Sequence, residues 1–366
     1  MLAHAKDPKD GGSRIAIIMN GSPLFTGDAG SGESEIRRFI FENELLEALI
    51  ALPEQLFYNT GIATYVWVVT NRKTRVRKGL VQLIDASSPA FWTQMRKSLG
   101  DKRREIPIDK EQDILKILAD FKDGDTRLVT KDGEREEVIV SKVFPTTHFG
   151  YRKITVERPL KLNFAASAER IARIEEERGF KALAESKKKG SAGVKERAEG
   201  EAEQERIRKL LQSLPDRVFK DRSDFEKVLD AAAKKAGIGF AVPVRRAVFS
   251  TLSERDETAA ICRDKDGNPE PDPELRDSES VPLSESVEAF FAREVLPHVS
   301  DAWIDTAKRD PKDKQVGLVG YEINFNRYFY RYKPPRPLEE IAAEIRDVEK
   351  DILQMLAEDT GSAASG

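Results

Sequence analysis

The residues best placed to do chemistry in this sequence form a local cluster of positive charge. Between Asn71 and Lys110 there are eleven Lys and Arg residues against four Asp and Glu, a net charge of +7. Five of these cations lie close together: Arg72, Lys73, Arg75, Arg77 and Lys78. Lys and Arg release condensed counterions from nucleic acid when they contact its phosphates. The segment therefore predicts either a phosphate-binding surface or a solvated hairpin and helix without a ligand.

The other reactive side chains lack the spacing that catalysis or metal binding requires. The three histidines, His4, His148 and His298, have no partner at metal-ligand spacing and no nucleophile motif beside them, so we predict no metal site. Asp264 begins a stretch that resembles a calcium loop, but Pro269 stands at the sixth position, where that loop needs glycine. We interpret this stretch as a polar turn.

Composition narrows the class of protein further. The 366 residues suggest two or three domains, and the net charge of -3 excludes a globally basic nucleic-acid binder. The single cysteine, Cys262, excludes an internal disulfide and fits a reducing compartment. There is no run of 18 apolar residues and no apolar signal-peptide core at the N-terminus. We expect a cytoplasmic protein with no membrane partner.

The elements that must position the cationic cluster follow an alternating α/β pattern. Short apolar runs predict strands at Arg14–Met19, Leu46–Leu52, Thr64–Thr70 and Leu80–Asp85. A helix is predicted at Glu33–Glu42, with Ser31 or Gly32 as its cap. The helix follows a loop at 20–32 that is punctuated by Gly27, Gly30 and Gly32. The first quarter of the chain is therefore expected to form an α/β sheet.

Two charged regions follow this part of the sequence. Residues 165–214 predict two charged helices separated by a flexible break at Lys187–Gly193, typical of an insertion or a domain boundary. Near the C-terminus, after Pro334, Pro335 and Pro337, apolar residues recur at alternating spacings of three and four: Leu338, Ile341, Ile345, Val348, Ile352 and Met355. This heptad stripe predicts a helix that docks either on its own domain or on a partner helix.

Five segments together resemble a known family. They are Arg14–Phe25, Glu35–Arg38, Leu52–Ile62, Phe149–Leu160, and Val319–Phe325 with Pro334–Ile341. In this order they are similar to the modification (methyltransferase) subunit of type I restriction-modification systems, an N6-adenine DNA methyltransferase family. The resemblance begins at that family's fifth strand, so the sequence resembles the C-terminal portion of such a subunit.

The resemblance implies a fold and a reaction. The expected fold is α/β, a partial class I S-adenosylmethionine-dependent methyltransferase sheet made of the last strands, followed by a mostly helical C-terminal region. Ile15, Ile17, Ile18, Val66, Val68 and Val69 are expected to be buried on both sides of this sheet. The strand at Arg14–Met19 would then have an unpaired edge. The family transfers a methyl group from S-adenosylmethionine to N6 of adenine in DNA.

The motifs that carry this reaction in the family are absent from the sequence. The glycine turn that holds the cofactor is not found, and there is no Asn-Pro-Pro followed by an aromatic residue. That motif supplies the hydrogen-bond acceptors that make the adenine amine nucleophilic. We therefore assign no catalytic residue and expect the chain to be inactive alone.

The resemblance also implies residues for the target-base pocket. The loop between the family's sixth and seventh strands corresponds to Pro53–Ile62, and the adenine is flipped out of the duplex against aromatic faces. Phe57 is the first candidate for stacking and Tyr58 the alternate. Asn59, Thr60 and Gly61 would shape the turn. The alternative is that Phe57 plugs the top of the sheet. A rim beside the pocket is assigned to Asn20, Gly21, Leu24 and Phe25.

The sequence and the resemblance also predict a domain organisation and a set of partners. The divisions are 1–90 for the methyltransferase part, 91–164 for a basic connecting region with hairpins, 165–214 for the charged helices, 215–333 for a mixed α/β region, 334–360 for the docking helix and 361–366 for a disordered tail. By resemblance the cofactor is S-adenosylmethionine. The partners are double-stranded DNA, a specificity subunit, a restriction (translocase/nuclease) subunit and a separate N-terminal half. The alternative function is a non-catalytic docking module, or a remnant, that binds the specificity subunit through the C-terminal helix.

Overall fold

The computed structural model describes residues 2–131, 133–330, 332 and 337–362, without the side chains of residues 131, 134 and 356–362. The chain divides into two compact units. Unit 1 consists of Met1–Phe25, Glu44–Pro145 and Ile323–Gly366, and unit 2 consists of Thr26–Asn43 and Thr146–Glu322. Pro334, Pro335 and residues 363–366, for which sequence patterns made predictions, lie outside the described residues.

Both units contain strands and helices. The strands are β1 (Arg14–Asn20), β2 (Leu46–Leu52), β3 (Thr64–Thr70), β4 (Leu80–Asp85), β5 (Thr93–Leu99), β6 (Lys102–Glu105), β7 (Thr126–Lys131), β8 (Glu134–Ile139), β9 (Ser141–Pro145), β10 (Gly150–Glu157), β11 (Leu162–Phe164), β12 (Ser253–Arg255), β13 (Asp277–Pro282), β14 (Trp303–Ile304) and β15 (Leu318–Tyr321). The helices are α1 (Gly32–Glu42), α2 (Ile108–Asp120), α3 (Ala168–Ala172), α4 (Arg178–Lys181), α5 (Gly190–Gln212), α6 (Arg222–Ala236), α7 (Val242–Leu252), α8 (Val287–Phe290), α9 (Phe325–Phe329) and α10 (Leu338–Ser362).

Unit 1 is built on a five-stranded sheet in the order β1-β3-β2-β4-β9. Strand β3 runs antiparallel to both β1 and β2, whereas β2 and β4 are parallel. All seven residues of β2 are buried, as expected for an apolar strand covered on both faces. The four strands predicted from apolar runs are confirmed, and β1 extends one residue further, to Asn20.

Strand β1 departs from the expected burial. Ile18 is 51% exposed, and Ile15 and Ile17 are only half-buried, so the prediction of burial on both sides is wrong for this strand. It holds for Val68 and Val69 of β3. The physical reason is position, because β1 lies at the edge of the sheet and pairs with β3 alone among the described strands. The predicted open edge is therefore present.

Unit 2 has a helical core where the sequence suggested solvated helices and a flexible break. Short helical turns at 168–184 are followed by one long helix, α5, which begins at Gly190, so the glycines of the predicted break lie inside a helix. A Cβ atom at Gly200 would collide with the carbonyl of Leu183, which shows how closely α5 packs. The core is formed by seventeen buried residues, among them Phe164, Ile174, Phe180, Leu211, Phe225, Leu229 and Val248. The predicted insertion is thus an integral part of unit 2.

A second sheet makes the C-terminal region mixed α/β rather than mostly helical. Strand β10 pairs antiparallel with β13, β14 and β15. Its inward residues Ile154 and Val156 pack with Phe291 and Val295. Alternating burial along β10 matches a strand with one covered face.

Helix α1 belongs to unit 2, although the sequence placed it with the methyltransferase sheet. The Ser31 hydroxyl caps its first turn by accepting the N–H of Ser34 (3.4 Å). Three buried side chains hold it, Arg37, Arg38 and Phe41. A helix in the α/β pattern would normally cover the adjacent sheet. Here its buried face carries two arginines, and these need acceptors that unit 2 supplies.

The acceptors for α1 are spread over distant parts of unit 2. Arg37 donates to the carbonyls of Tyr321 (2.5 Å) and Thr26 (2.6 Å). Arg38 donates two hydrogen bonds to the carboxylate of Asp310, at 2.7 and 3.1 Å. The ring of Phe41 stacks on Tyr321 with centroids 5.0 Å apart. We call Arg37, Arg38, Phe41, Asp310 and Tyr321 the arginine cluster.

Helix α10 confirms the helix predicted from the heptad pattern and extends to Ser362. Among the described residues, no helix combines the length and apolar character needed to cross a membrane.

Candidate functional site

The candidate site lies at the edge of the unit 1 sheet where three strands end together. Strands β2 and β4 are parallel and end at Leu52 and Asp85. Strand β1 also runs antiparallel to β3, so Asn20 reaches the same edge, opposite Thr64. In open α/β sheets, ligands bind beyond the carboxyl ends of the strands. The loop predicted as the target-base pocket, residues 53–62, leaves the sheet at this edge.

The loop folds back on itself as a tight turn. The N–H of Gln55 donates to the carbonyl of Gly61 (3.2 Å), and Phe57 and Thr60 form an antiparallel bridge. Gln55 has a φ of 59°, the left-handed conformation that side chains rarely adopt. Thr60 and Gly61 take part in this turn, as expected, but the left-handed backbone conformation in it belongs to Gln55.

The two aromatic residues of the loop have different environments. Phe57 is half-buried and packs on the sheet core that contains Ile50 and Ile84, as the plug alternative predicts. Tyr58 exposes 66% of its surface. Asn59 is exposed, and Thr60 is half-buried. The side chain accessible for stacking in this structure is thus the alternate candidate, Tyr58.

The rim residues after β1 are only partly available. Asn20 is exposed and Phe25 is 54% exposed. Leu24, in contrast, is 1% exposed, so its assignment to the accessible rim is wrong. Its carbonyl accepts the N–H of Ile323 (2.9 Å). Gly21 lies against the ring of Tyr65.

A basic hairpin, residues 93–105, lies directly against the loop. The N–H of Asp101 donates to the carbonyl of Tyr58 (2.9 Å), and the N–H groups of Arg103 and Arg104 donate to the carbonyl of Gln55 (2.9 and 3.1 Å). Gly100 has a φ of 62°, and a Cβ atom there would lie 2.6 Å from the Tyr58 carbonyl oxygen. Backbone contacts therefore fix the hairpin to the loop.

Cations and aromatic rings alternate along this contact. The Arg104 guanidinium lies 4.0 Å from the ring centroid of Trp92, and the Lys102 ammonium lies 5.7 Å from that of Tyr58. Lys102 and Arg104 are two residues apart on β6, so they share one face of the strand. The charge count over 71–110 included these cations. It did not separate them from the others, because only the folded chain places them beside the loop.

Asp85 organises the turn that leads from β4 to Trp92. Its carboxylate accepts hydrogen bonds from the N–H (3.1 Å) and the hydroxyl (2.5 Å) of Ser87. Burial raises the pKa of Asp85 above its usual range, against the effect of these hydrogen bonds. The carbonyl of Ser87 then accepts the indole N–H of Trp92 (2.9 Å). These hydrogen bonds fix the indole ring against which the Arg104 guanidinium lies.

The five cations predicted as phosphate contacts lie at the opposite end of the strands from the 53–62 loop. They follow the end of β3 at Thr70, which pairs with Arg14 at the start of β1. Seven strand residues, about 20 Å, separate this edge from the loop. Arg75 and Lys78 are exposed there, and Arg72 donates to the carbonyl of Gly11 (2.6 Å). These residues do not belong to the site formed by the loop.

Two of the five are also buried in structural roles, so their prediction as phosphate contacts is wrong. Lys73 donates to the carbonyl of Leu80 (2.8 Å), and burial lowers its pKa. Arg77 lies 3.6 Å from the carboxylate of Glu47 and 4.3 Å from the ring centroid of Phe121, and burial lowers its pKa as well. Their charges are used inside the fold.

The heptad stripe on α10 is largely exposed. Of its six residues, Ile341 is half-buried. The other five have exposed fractions between 48% and 81%: Leu338, Ile345, Val348, Ile352 and Met355. The stripe is available to a partner, and docking on its own domain is not seen for these five residues.

The comparisons with known proteins first give a class. Residues 1–142 match the family model of N-6 DNA methylases. This segment contains strands β1 to β8, the first two residues of β9, the 53–62 loop and the basic hairpin. It therefore resembles an N-6 DNA methylase.

Relatives then narrow the resemblance. The type I restriction enzyme MjaVII methylase subunit of Methanocaldococcus jannaschii is 38% identical over 116 residues, 32% of this chain and 19% of that subunit. The type I restriction enzyme HindI methylase subunit of Haemophilus influenzae is 40% identical over 74 residues, 20% of this chain and 16% of that subunit. The resemblance to modification subunits of type I systems is confirmed, and the match spans less than a fifth of each relative's length. These relatives give no support to the docking-module alternative.

A solved structure also matches part of the chain. It is the type I restriction-modification system methyltransferase subunit from Streptococcus thermophilus, with 22% sequence identity and a TM-score of 0.27 over 37% of this chain and 24% of that one. A score this low carries no argument about the site.

Proposed function

We propose that this chain forms the target-base side of an adenine-specific DNA methyltransferase of the type I restriction-modification kind. The reaction is methyl transfer from S-adenosylmethionine to N6 of adenine within a specific DNA site. The observation that carries the proposal is the match of residues 1–142 to N-6 DNA methylases, because this segment contains both the loop and the hairpin beside it.

The chain's own residues would bind and orient the base. An enzyme that modifies a base inside a duplex must flip that base out and hold it in a pocket. Tyr58 offers an exposed ring at the edge where ligands bind, and Phe57 supports the loop from the core side. Stacking a base on an aromatic ring contributes about 1–3 kcal/mol. We assign no proton transfer to these residues.

The family's cofactor does not fit the residues present. When bound, S-adenosylmethionine supplies the methyl group. Beyond the end of β1, Leu24 is buried and Gly21 lies against the ring of Tyr65, and the glycine turn and the Asn-Pro-Pro motif are absent from the sequence. We derive no step through the cofactor. We propose that those motifs are supplied from outside these 366 residues, by a segment N-terminal to them or by a separate N-terminal half.

We propose the remaining partners from the exposed surfaces of the chain and from its resemblance to type I modification subunits. Double-stranded DNA is the substrate. The exposed heptad stripe of α10 is proposed to bind the specificity subunit, because an apolar stripe of this spacing packs on another helix. A restriction subunit would complete the complex. All three belong to the cytoplasm, in line with the expected location.

The test is methyl transfer in a reconstituted complex. The chain would be mixed with a specificity subunit, labelled S-adenosylmethionine and unmethylated DNA, with or without a polypeptide that carries the two missing motifs. We expect transfer only when that polypeptide is present, and no cofactor binding by the chain alone in calorimetry. Absence of transfer in every combination would overturn the proposed function. Cofactor binding by these 366 residues alone would overturn the requirement for motifs from outside them.

Aromatic variants sharpen this test. Tyr58→Ala should lower the rate of transfer at limiting DNA by tenfold or more, in line with about 1–3 kcal/mol of lost stacking. Tyr58→Phe keeps the ring and should retain most of the rate. Phe57→Ala should instead lower thermal stability, because its ring packs on the core. If Tyr58→Ala leaves the rate unchanged, Tyr58 does not hold the base.

A further inference from the structure

The basic hairpin carries cations that the fold does not use as ion-pair partners. It contains Arg96, Lys97, Lys102, Arg103 and Arg104 against two acidic residues. Within the described part of the chain, none of these five is in an ion pair. Nearby in the same unit, Arg127 is bound to both Asp113 and Asp125. Arg127 is thus neutralised within the fold, whereas the hairpin keeps its positive charge.

A bulge gathers the exposed cations of the hairpin. The pairs Gln94–Arg104 and Leu99–Lys102 leave four residues of β5 opposite Arg103 alone. Arg96 and Lys97 lie in this bulge, and both are exposed, as is Arg103. Bulges bend a strand and redirect its side chains, and they are frequent beside functional sites. The bulge concentrates three free positive charges on one short segment.

The hairpin is also fixed in place relative to the loop. Three backbone N–H groups of the hairpin donate to loop carbonyls, and Gly100 allows the close approach to Tyr58. Lys102 and Arg104 lie over aromatic rings, which restricts their side chains. Cations held in fixed positions lose less entropy when they bind an anion. A solvated surface hairpin would need no such anchoring.

We infer that the basic hairpin binds the DNA backbone phosphates that flank the flipped base, with Arg96, Lys97 and Arg103 as the contacting cations. The inference rests on the proposed function, because it takes the 53–62 loop as the place where the base enters. A nucleotide inserted beside Tyr58 brings its neighbouring phosphates close to the hairpin, because the hairpin is hydrogen-bonded to the Tyr58 carbonyl. Aromatic rings interleaved with cations are the common pattern of protein surfaces that track a nucleic-acid backbone.

Salt dependence of DNA binding tests the assignment. The full chain would be titrated against a short labelled duplex by fluorescence anisotropy at salt concentrations between about 50 and 200 mM. We expect the variant Lys97→Gln/Arg103→Gln to reduce the slope of log affinity against log salt by about 1.8, since each phosphate contact contributes about 0.9. The affinity at a given salt concentration should fall by tenfold or more.

The opposite edge of the sheet provides a matched control. Arg75→Gln/Lys78→Gln removes the same charge from two exposed residues and should leave the slope unchanged. Lys97→Arg/Arg103→Lys should retain the original slope, and circular dichroism checks that each variant folds. Equal slope changes in both double variants, or no duplex binding by the unaltered chain at the lowest salt, would overturn the hairpin assignment. Failure of methyl transfer with the expected slopes would overturn the proposed function and leave the hairpin a DNA contact.

Discussion

The basic hairpin of unit 1 and the arginine cluster of unit 2 use the same side chain in opposite ways. In the cluster, Arg38 is 2% exposed and bound to a carboxylate that is 1% exposed. In the hairpin, Arg103 is exposed and has no ion pair within the described chain. A buried guanidinium whose nitrogens all have hydrogen-bond partners stabilises the fold and is not accessible to a ligand. An exposed one on an anchored hairpin remains available to a ligand.

The arginine cluster also brings together segments from distant parts of the sequence. Glu35–Arg38, Phe149–Leu160 and Val319–Glu322 lie far apart in the sequence, and they meet in unit 2. Gly150 pairs with Tyr321, whose carbonyl accepts Arg37. Phe41 packs on Phe149 with ring centroids 5.5 Å apart. These contacts bring the three segments into one packed region of unit 2, whereas the 53–62 loop lies at the candidate site in unit 1.

The largest effect is expected from breaking the arginine cluster. Arg38→Ala would leave the Asp310 carboxylate buried without its main partner, which costs about 3–5 kcal/mol. The free energy of unfolding in urea should fall by this amount. Cys262 is 2% exposed and is the only cysteine, so its rate of labelling by a thiol reagent reports the opening of unit 2. Faster labelling is expected in this variant.

An exposed ion pair serves as the control for this experiment. Arg245 binds Asp230 at 2.5 Å, and both side chains are substantially exposed. Arg245→Ala should cost less than about 1 kcal/mol. If both variants lose the same stability, the arginine cluster is not the structural centre that its burial indicates.

An intermediate effect is expected from separating the hairpin and the loop. Gly100→Ala would place a methyl group 2.6 Å from the Tyr58 carbonyl oxygen and should cost about 1–3 kcal/mol beyond the backbone strain at positive φ. Gly124→Ala meets the same strain at a φ of 70°, with no heavy atom within 4 Å. Thermal unfolding of both variants isolates the contact. Equal losses would show that the hairpin does not depend on its approach to the loop.

The smallest effect is a dependence of unit 2 stability on acid. Burial works to raise the pKa of Asp310, but the Arg38 guanidinium and three backbone N–H groups outweigh it and hold that pKa well below its usual range. Because the unfolded chain then binds the proton more tightly, this stability is present above pH 4 and falls as the pH decreases, by up to about 1.4 kcal/mol per pH unit. Urea unfolding followed by Cys262 labelling between pH 5 and pH 3 measures it.

A comparison variant assigns that acid dependence to one residue. Asp310→Asn cannot gain the proton, so its smaller stability should vary less with pH over the same interval. An unchanged pH dependence in Asp310→Asn would assign the loss to other carboxylates.

Local patterns were enough to locate much of the fold. The apolar runs of β2, β3 and β4 predicted their bounds without error, because a strand with two covered faces is apolar throughout. The heptad spacing predicted α10 for the same kind of reason. The extension of the break from Gly190 to Gly193 and the burial of β1 were mispredicted, because helix packing and the position of a strand in the sheet are not local properties.

The sequence by itself determined which residues are apolar, cationic or aromatic, and at what period they recur. Only the tertiary structure decided which cations remain available. Lys73 and Lys97 carry the same charge in the same basic segment, yet the first is buried on the Leu80 carbonyl and the second is exposed in a bulge. The same holds for Phe57 and Tyr58, which are adjacent in sequence and differ in exposure. Period and composition are properties of neighbouring residues, whereas burial and pairing depend on partners that only the folded chain brings together.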